Sequence, residues 1–123
     1  MFKGNNMNEE IILKSEDGVG IITLNRPERL NALTYNIVKK MNNFLDKCES
    51  DDDIKCVIIE GAGEKAFCAG GDVVSLRKQV LDDGGPPTEL SEKFFYDEYL
   101  LNYKINNFKK PYIALIDGVT MGG

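Results

Sequence analysis

The sequence predicts an α/β fold in which strands and helices alternate within one domain. Short runs of β-branched and other apolar residues, typical of strands, alternate with longer segments whose apolar residues recur at helical spacing. The composition is that of an ordinary globular protein, because 42% of the 123 residues are apolar and 28% are charged. No internal repeat or low-complexity tract divides the chain. We therefore expect a single domain.

The first elements are predicted to be a β-hairpin and an amphipathic helix. Residues 11–14 and 19–24 are apolar runs, and the Asp17-Gly18 pair between them favours a tight hairpin turn. Thr34 is a candidate helix N-cap. The residues expected on the buried helix face are Ile37, Val38, Met41, Phe44, Leu45 and Cys48. The residues on the other, polar face of the helix are Lys39, Lys40, Asn42, Asn43, Asp46 and Lys47.

The later elements continue the alternation. Residues 56–59 predict a buried strand, and Asp72 can cap a short helix that ends at about Lys78. Residues 82–87 have the composition of a loop. Residues 88–108 have helical spacing, and residues 112–116 predict another buried strand.

Charge and residue types exclude several classes of function. The net charge of −5 does not suit a nucleic-acid-binding surface, and no apolar run approaches the roughly 20 residues of a membrane span. The absence of histidine excludes Ser-His and Cys-His nucleophilic pairs and histidine-based zinc sites. Cys48, Cys56 and Cys68 form no C-x-x-C pair, which favours reduced intracellular thiols. We expect no nucleic-acid partner, no membrane association and no metal.

Two glycine clusters are the candidate binding features. Residues 61–66 formally fit a dinucleotide-binding fingerprint, but poor helix-forming residues follow them, so we reject that interpretation. Gly70-Gly71 precede a predicted helix N-terminus, and Gly122-Gly123 follow a later strand. Unpaired backbone N–H groups from two such loops are what an oxyanion hole needs. From these residues alone, two tight turns are the simpler explanation.

Three motifs, correctly ordered and spaced, resemble signatures of the enoyl-CoA hydratase/isomerase (crotonase) superfamily. They are LNRPERLNAL at residues 24–33, KAFCAGGD at 65–72 and KPYIALIDGVTMGG at 110–123. The resemblance implies an α/β crotonase-like spiral of ββα units that is truncated. Residues 11–123 would be the N-terminal part of a single domain of this kind, after a polar N-terminal extension at residues 1–10.

The resemblance also implies a ligand and the residues that bind it. The ligand would be an acyl-CoA thioester, with no separate cofactor because coenzyme A is part of the substrate. The thioester carbonyl would accept hydrogen bonds from the backbone N–H groups of Gly71 and Gly123. The CoA moiety would lie near Ala69, Gly70 and Asp72, and the segment lining the CoA channel would include Arg29, Leu30 and Ala32. A plain strand-to-helix connector is the alternative for these last three residues.

Within the superfamily, the sequence most resembles the 3-hydroxyisobutyryl-CoA hydrolases of valine breakdown. Residues 94–99, FFYDEY, resemble an F-F-x-x-E-Y segment of that branch, and Thr120-Met121 stand where hydratases commonly carry Ala-Leu. In that branch, the acid corresponding to Glu98 reaches the acyl pocket, where a substrate hydroxyl would be its partner. A solvated helix carboxylate is the alternative for Glu98.

The sequence departs from the family pattern after Gly123. The third glycine of the Gly-Gly-Gly turn and the two catalytic carboxylates beyond it are not among the 123 residues, so we expect this chain alone to be inactive. An enoyl-CoA hydratase and a non-catalytic short CoA-binding or assembly partner remain alternatives. The family implies a mitochondrial location, although no transit peptide is visible, and a peroxisomal or cytoplasmic location remains open. Homo-oligomerisation also stays open.

Overall fold

The computed structural model describes residues 9–84 and 89–122, which form a four-stranded sheet with helices packed on it and a smaller two-stranded sheet. The strands are β1 (Ile11–Glu16), β2 (Val19–Leu24), β3 (Cys56–Gly61), β4 (Ala66–Cys68), β5 (Tyr112–Leu115) and β6 (Val119–Thr120). The helices are α1 (Tyr35–Ser50), α2 (Val73–Asp82) and α3 (Glu89–Asn106), and a 3₁₀ turn spans Pro27–Arg29.

The main sheet has the strand order β1-β2-β3-β5. β1 and β2 form the predicted antiparallel hairpin, and the turn residues Asp17 and Gly18 have φ values of 51° and 83°. Positive φ at both positions is what a type I′ turn requires. β2 pairs parallel with β3, and β3 pairs parallel with β5. Because parallel neighbours need a crossover connection, α1 links β2 to β3, and α3 precedes β5.

Helix α1 covers one face of the sheet. The Thr34 hydroxyl accepts a hydrogen bond from the Ile37 backbone N–H at 3.2 Å, which confirms the predicted N-cap. The apolar side chains that the helix buries are Ile37, Val38, Met41, Leu45 and Cys48. They belong to one core cluster with Ile22 of β2 and Val57 of β3. Burial of each large aliphatic side chain contributes roughly 1.5–3 kcal/mol to folding.

Asn42, which the helical spacing places on the polar face of α1, is buried. Asn42 is only 7% exposed, because α3 packs against this flank of α1. The Asn42 side-chain amide donates a hydrogen bond to the Asp97 backbone carbonyl at 3.1 Å. The Tyr35 hydroxyl donates to the Asp97 carboxylate at 2.8 Å. Polar groups therefore occupy part of the interface between the two helices.

The prediction of a strand at residues 112–116 is confirmed. The prediction that this strand is buried is wrong. β5 spans Tyr112–Leu115, but Ile113 is 43% exposed and Leu115 is 51% exposed. The reason is its position, because within residues 9–84 and 89–122 β5 is an edge strand that pairs only with β3.

The segment between β3 and α2 leads into the second sheet. Residues 61–66 run into strand β4 rather than a helix, which agrees with the rejection of a dinucleotide-binding loop. β4 pairs parallel with β6. Helix α2 continues to Asp82, beyond the predicted end at Lys78, and the predicted loop lies partly outside the described residues. No helix in the described ranges combines the length and the apolar character needed to cross a membrane.

Candidate active site

The two glycine loops predicted from the sequence contact each other. The Met121 backbone N–H donates to the Cys68 carbonyl at 2.9 Å. A Cβ atom added to Gly70 would lie 3.0 Å from the Met121 carbonyl oxygen and 3.2 Å from the Gly122 Cα. Gly70 and Gly122 also have positive φ values, 96° and 77°. Only glycine permits both this conformation and this approach of the two backbones.

The first glycine loop contains a candidate hydrogen-bond donor, the backbone N–H of Gly71. Leu33 and Gly71 form an isolated parallel bridge, in which the Leu33 N–H donates to the Gly70 carbonyl and the Asp72 N–H donates to the Leu33 carbonyl, each at 2.8 Å. This pattern turns the Gly71 N–H away from Leu33. Within residues 9–84 and 89–122 it meets no acceptor. Gly123, predicted as the second donor, lies outside the described residues.

The Glu98 carboxylate lies beside Gly71. A Cβ atom added to Gly71 would be 3.1 Å from Glu98 Oε2. Glu98 is half-buried, and its carboxylate accepts no hydrogen bond and forms no ion pair in the part of the chain that the structure describes. Burial raises the pKa of Glu98 above its ordinary value. Among the described residues, the Glu98 carboxylate has no hydrogen-bond donor and lies close to Gly71, whose N–H has no acceptor.

Replacing Glu98 with glutamine is expected to stabilise the folded protein at neutral pH. A carboxyl group whose folded pKa is raised binds its proton more tightly in the folded state. Wild-type stability therefore falls as pH rises from the unfolded pKa, about 4.3, through the raised folded value. The E98Q side chain cannot ionise and avoids this loss. In urea unfolding, the variant should gain stability over wild type at pH 7, and the gain should shrink at pH 4.

The matched control for this experiment is Glu92→Gln. Glu92 lies on the same helix and is exposed, so its replacement should change the free energy of unfolding little at either pH. An E98Q variant that is equally or less stable than wild type at pH 7 would contradict the expectation.

Asp72 holds the glycine loop in place. Its carboxylate caps α2 by accepting hydrogen bonds from the Ser75 N–H at 3.0 Å and the Ser75 hydroxyl at 2.8 Å. It also forms a buried ion pair with Arg26 at 3.0 Å. Burial alone would raise the pKa of Asp72, but the Ser75 hydrogen bonds and the Arg26 charge outweigh it and hold the pKa below its ordinary value. These contacts occupy the carboxylate, and contact of Asp72 with CoA stays a prediction.

The segment predicted to line a CoA channel runs beside the first glycine loop. The Ala69 N–H donates to the Leu30 carbonyl at 3.0 Å. Arg29 and Leu30 are exposed next to this contact. The Ala32 carbonyl accepts a hydrogen bond from the Arg26 guanidinium at 2.7 Å. The structure thus brings Arg29, Leu30, Ala32 and Ala69 to one region, while their contact with a ligand stays a prediction.

Sequence reasoning missed Asn31, which fixes this segment. Asn31 is fully buried, and its side chain accepts from the Arg26 N–H at 2.9 Å. Its amide donates to the Ala62 and Ala66 carbonyls at 3.0 and 2.9 Å. Leu30 and Asn31 both have left-handed φ values, 53° and 56°, a conformation that costs roughly 1–2 kcal/mol per non-glycine residue. One signal could have found Asn31. It is a polar residue within an apolar stretch, and asparagine tolerates the left-handed conformation better than most residues.

An apolar pocket of about 280 Å³ opens beside the second glycine loop. Its lining includes Phe67 and Cys68 on one side, Leu101 of α3, and Met121 and Gly122. Cys68 is a free cysteine, and burial raises the pKa of its thiol, so it is a poor nucleophile. The described residues include no group of three carboxylate or thiol side chains placed to hold a metal ion.

The chain matches a known protein family and curated relatives. Residues 19–123 match the family model described as enoyl-CoA hydratase/isomerase. The mitochondrial 3-hydroxyisobutyryl-CoA hydrolase of Danio rerio is 46% identical over 114 residues, which cover 93% of this chain and 29% of that protein. The protein of the same name from Homo sapiens is 42% identical over 123 residues, which cover 100% of this chain and 31% of that protein. The chain thus spans less than a third of these relatives.

Solved structures show the same fold. A carnitinyl-CoA dehydratase from Mycobacterium thermoresistibile has a TM-score of 0.83 and 41% identity, with 91% of this chain and 32% of that chain covered. An enoyl-CoA hydratase from Rhodobacter sphaeroides 2.4.1 has a TM-score of 0.82 and 32% identity, with 89% and 32% covered. These neighbours confirm the predicted α/β crotonase-like fold, of which the chain covers a part. The chain belongs to the enoyl-CoA hydratase/isomerase (crotonase) superfamily.

Proposed function

We propose that this chain forms the thioester-polarising and acyl-recognising part of a 3-hydroxyisobutyryl-CoA hydrolase. The observation that carries the proposal is the Glu98 carboxylate, which has no partner among residues 9–84 and 89–122 and lies 3.1 Å from the Cβ position of Gly71. The curated relatives at 42–46% identity, named 3-hydroxyisobutyryl-CoA hydrolases, support the same activity. Their names also support a mitochondrial location, and a place in valine breakdown is what the family resemblance implies.

In this proposal, the thioester carbonyl oxygen accepts a hydrogen bond from the free Gly71 N–H. The Gly123 N–H is proposed as the second donor. When water attacks the carbonyl carbon, negative charge develops on that oxygen, and removing one such donor costs other enzymes roughly 2.7–4 kcal/mol. The bridge to Leu33 holds the Gly71 donor in place before the substrate arrives. The carbon–sulfur bond then breaks, and coenzyme A leaves as the thiol.

Glu98 recognises the hydroxyl group of the acyl chain. A half-buried carboxylate without a donor is costly, and a substrate hydroxyl would supply the missing hydrogen bond. An enoyl group has no hydroxyl and would leave the carboxylate unpaired. This difference favours a hydroxyacyl thioester over the enoyl thioester of a hydratase. No described residue is assigned as the base that activates water.

The CoA moiety is proposed to lie along the region where residues 29–32 meet the first glycine loop. Arg29 and Leu30 are exposed there, and Ala69 and Gly70 offer backbone without bulky side chains. The positive charge of Arg29 would attract the phosphates of CoA. Asp72 acts on this surface by positioning the loop through Ser75 and Arg26. No separate cofactor is needed, because coenzyme A is part of the substrate.

The experiment that tests the proposal follows the release of free CoA by the longest native form that contains this chain. Wild type should hydrolyse 3-hydroxyisobutyryl-CoA, and E98Q should lower kcat/KM by at least about tenfold, the effect of weakening one charged hydrogen bond. The loss should be smaller with isobutyryl-CoA, which lacks the hydroxyl group. The exposed E92Q variant is the control and should match wild type on both substrates.

Other outcomes would assign a different function. Hydration of crotonyl-CoA without CoA release would show an enoyl-CoA hydratase. Binding of CoA without either reaction would support a non-catalytic binding or assembly role. An equal loss on both substrates in E98Q would remove hydroxyl recognition from Glu98.

A further inference from the structure

Building on the proposed function, we propose that Phe94 determines specificity by limiting the length of the acyl group. The ring contacts the Cβ position of Gly71 and also lines a pocket, so its removal would open a path from the Gly71–Glu98 site into that pocket. The occupant of the enlarged site would be the chain of a longer 3-hydroxyacyl thioester.

The Phe94 ring has a fixed place beside Gly71. Phe94 is 4% exposed, and its Cζ and Cε2 atoms lie 3.5 and 3.7 Å from the Cβ position of Gly71. It forms an edge-on contact with Tyr35, with ring centroids 6.4 Å apart, and another with Phe95 at 5.6 Å. A ring held by these two contacts cannot swing away without breaking them.

Phe94 and Glu98 act on the same site because they are four residues apart on α3. Residues at this spacing lie on one helix face, one turn apart. Both contact the Cβ position of Gly71. An acyl group whose carbonyl binds the Gly71 N–H and whose hydroxyl binds Glu98 therefore also meets the Phe94 ring. One side chain recognises the polar end of the acyl group, and the other limits its apolar extent.

A pocket of about 400 Å³ lies beside the ring. Phe94 is part of its lining and also contacts the Cβ position of Gly71, so the ring touches both the pocket and the glycine loop. The part of the lining proposed to receive an acyl chain comes from Tyr35, Leu76, Gln79 and Leu90, while the rest of the lining is polar and includes Glu10, Arg26 and Asp72. Its volume falls within the range of about 300–1,000 Å³ typical of small-molecule sites. Space for a longer chain is thus already present beside the ring.

The test compares kcat/KM for 3-hydroxyisobutyryl-CoA with that for linear 3-hydroxyhexanoyl-CoA, in the longest native form that contains this chain. Wild type should favour the short substrate. Phe94→Ala should shift the ratio of the two values towards the long substrate by about tenfold or more, since fitting or excluding a methylene group changes rates by about 10–200-fold.

Three further variants keep the test decisive. F94A removes a buried ring and can prevent folding, so Phe94→Leu carries the same prediction with a smaller shift. Leu76→Phe in the F94A background refills the pocket and should restore the preference for the short substrate. Tyr96→Ala removes an aromatic ring on the same helix that is 68% exposed, and it should leave the ratio unchanged.

The outcomes separate this inference from the proposed function. If wild type hydrolyses 3-hydroxyisobutyryl-CoA but F94L and F94A keep the wild-type ratio, the role of Phe94 is wrong and the hydrolase assignment stands. If wild type releases no CoA from either substrate, the proposed function is wrong and the inference falls with it. A shift towards the long substrate in F94A that L76F fails to reverse would overturn the assignment of the pocket.

Discussion

Replacing Gly71 with alanine is expected to lower kcat and kcat/KM for thioester hydrolysis by about 10²–10³, the loss measured in other enzymes when one oxyanion donor is removed. The added methyl group would lie 3.1 Å from Glu98 Oε2 and 3.5 Å from the Phe94 ring. The approach to Glu98 is tighter than an ordinary contact, whereas the distance to Phe94 is an ordinary van der Waals contact. Either the Glu98 carboxylate or the loop must shift by a few tenths of an ångström, and either shift disturbs the proposed binding of the thioester. Steady-state kinetics with 3-hydroxyisobutyryl-CoA measures the effect.

Gly84→Ala is the control for this substitution. A Cβ atom there would meet nothing within 4 Å, although Gly84 has a positive φ of 97°. G84A should therefore lose stability through backbone strain and keep its activity. If G71A retained activity within about threefold of G84A, the Gly71 N–H could not be the donor that stabilises the transition state.

Replacing Asp72 with alanine is expected to lower the free energy of unfolding by about 3–5 kcal/mol, the usual cost of leaving a buried charge without its partner. The Arg26 and Asp72 side chains are only 12% and 8% exposed. D72A strands the guanidinium and also removes the cap of α2. Glu10, which lies 3.7 Å from the same guanidinium, can offset part of the loss, so we expect the lower end of the range. Urea unfolding at pH 7 measures it.

The control for D72A is a substitution in an exposed ion pair. Lys14 and Glu16 form an ion pair at 3.3 Å, but both side chains are more than half exposed. Glu16→Ala should change the free energy of unfolding by less than about 0.5 kcal/mol. In wild type, the Asp72 contribution should fade as pH falls below the unfolded pKa of about 3.9 and through the depressed folded value. A D72A loss no larger than that of E16A would contradict the buried-pair account.

Elements fixed by local chemistry could be predicted from the sequence. The Asp17-Gly18 pair demands a tight hairpin turn, and both residues adopt positive φ. Thr34 caps α1 through a hydrogen bond to a residue three positions away. Asp72 caps α2 in the same way. Each of these signals lies within a few residues of the structure it determines, so no knowledge of the tertiary fold was needed.

Features that depend on distant neighbours could not be predicted. Asn42 is polar and falls on the polar side of its helix, and only the packing of α3 shows that it is buried. Residues 112–116 have the apolar content of a buried strand, but burial depends on what covers β5. The fully buried Asn31 bonds to carbonyls that lie beyond α1 and β3 in the chain.

In the candidate site too, features with a local sequence signal could be predicted, and features that depend on distant neighbours could not. Glycine before a helix N-terminus indicated a backbone donor, and Gly71 has a free N–H within the described residues. Helical spacing gave Glu98 a place on α3 but could not say which face it occupies. The proximity of Glu98 to Gly71 follows from the packing of α3 against α1. Its role was expected only from the family resemblance.

The contact between Gly70 and Gly122 has a consequence for the order of folding. It joins two loops about half the chain apart, and the supporting strands β4 and β6 are only three and two residues long. Closing so long a loop costs entropy that so short a ladder returns only weakly. The β1–β2 hairpin, by contrast, pairs neighbouring residues and can form early. The glycine loops should therefore assemble late, after the main sheet has already fixed most of the chain.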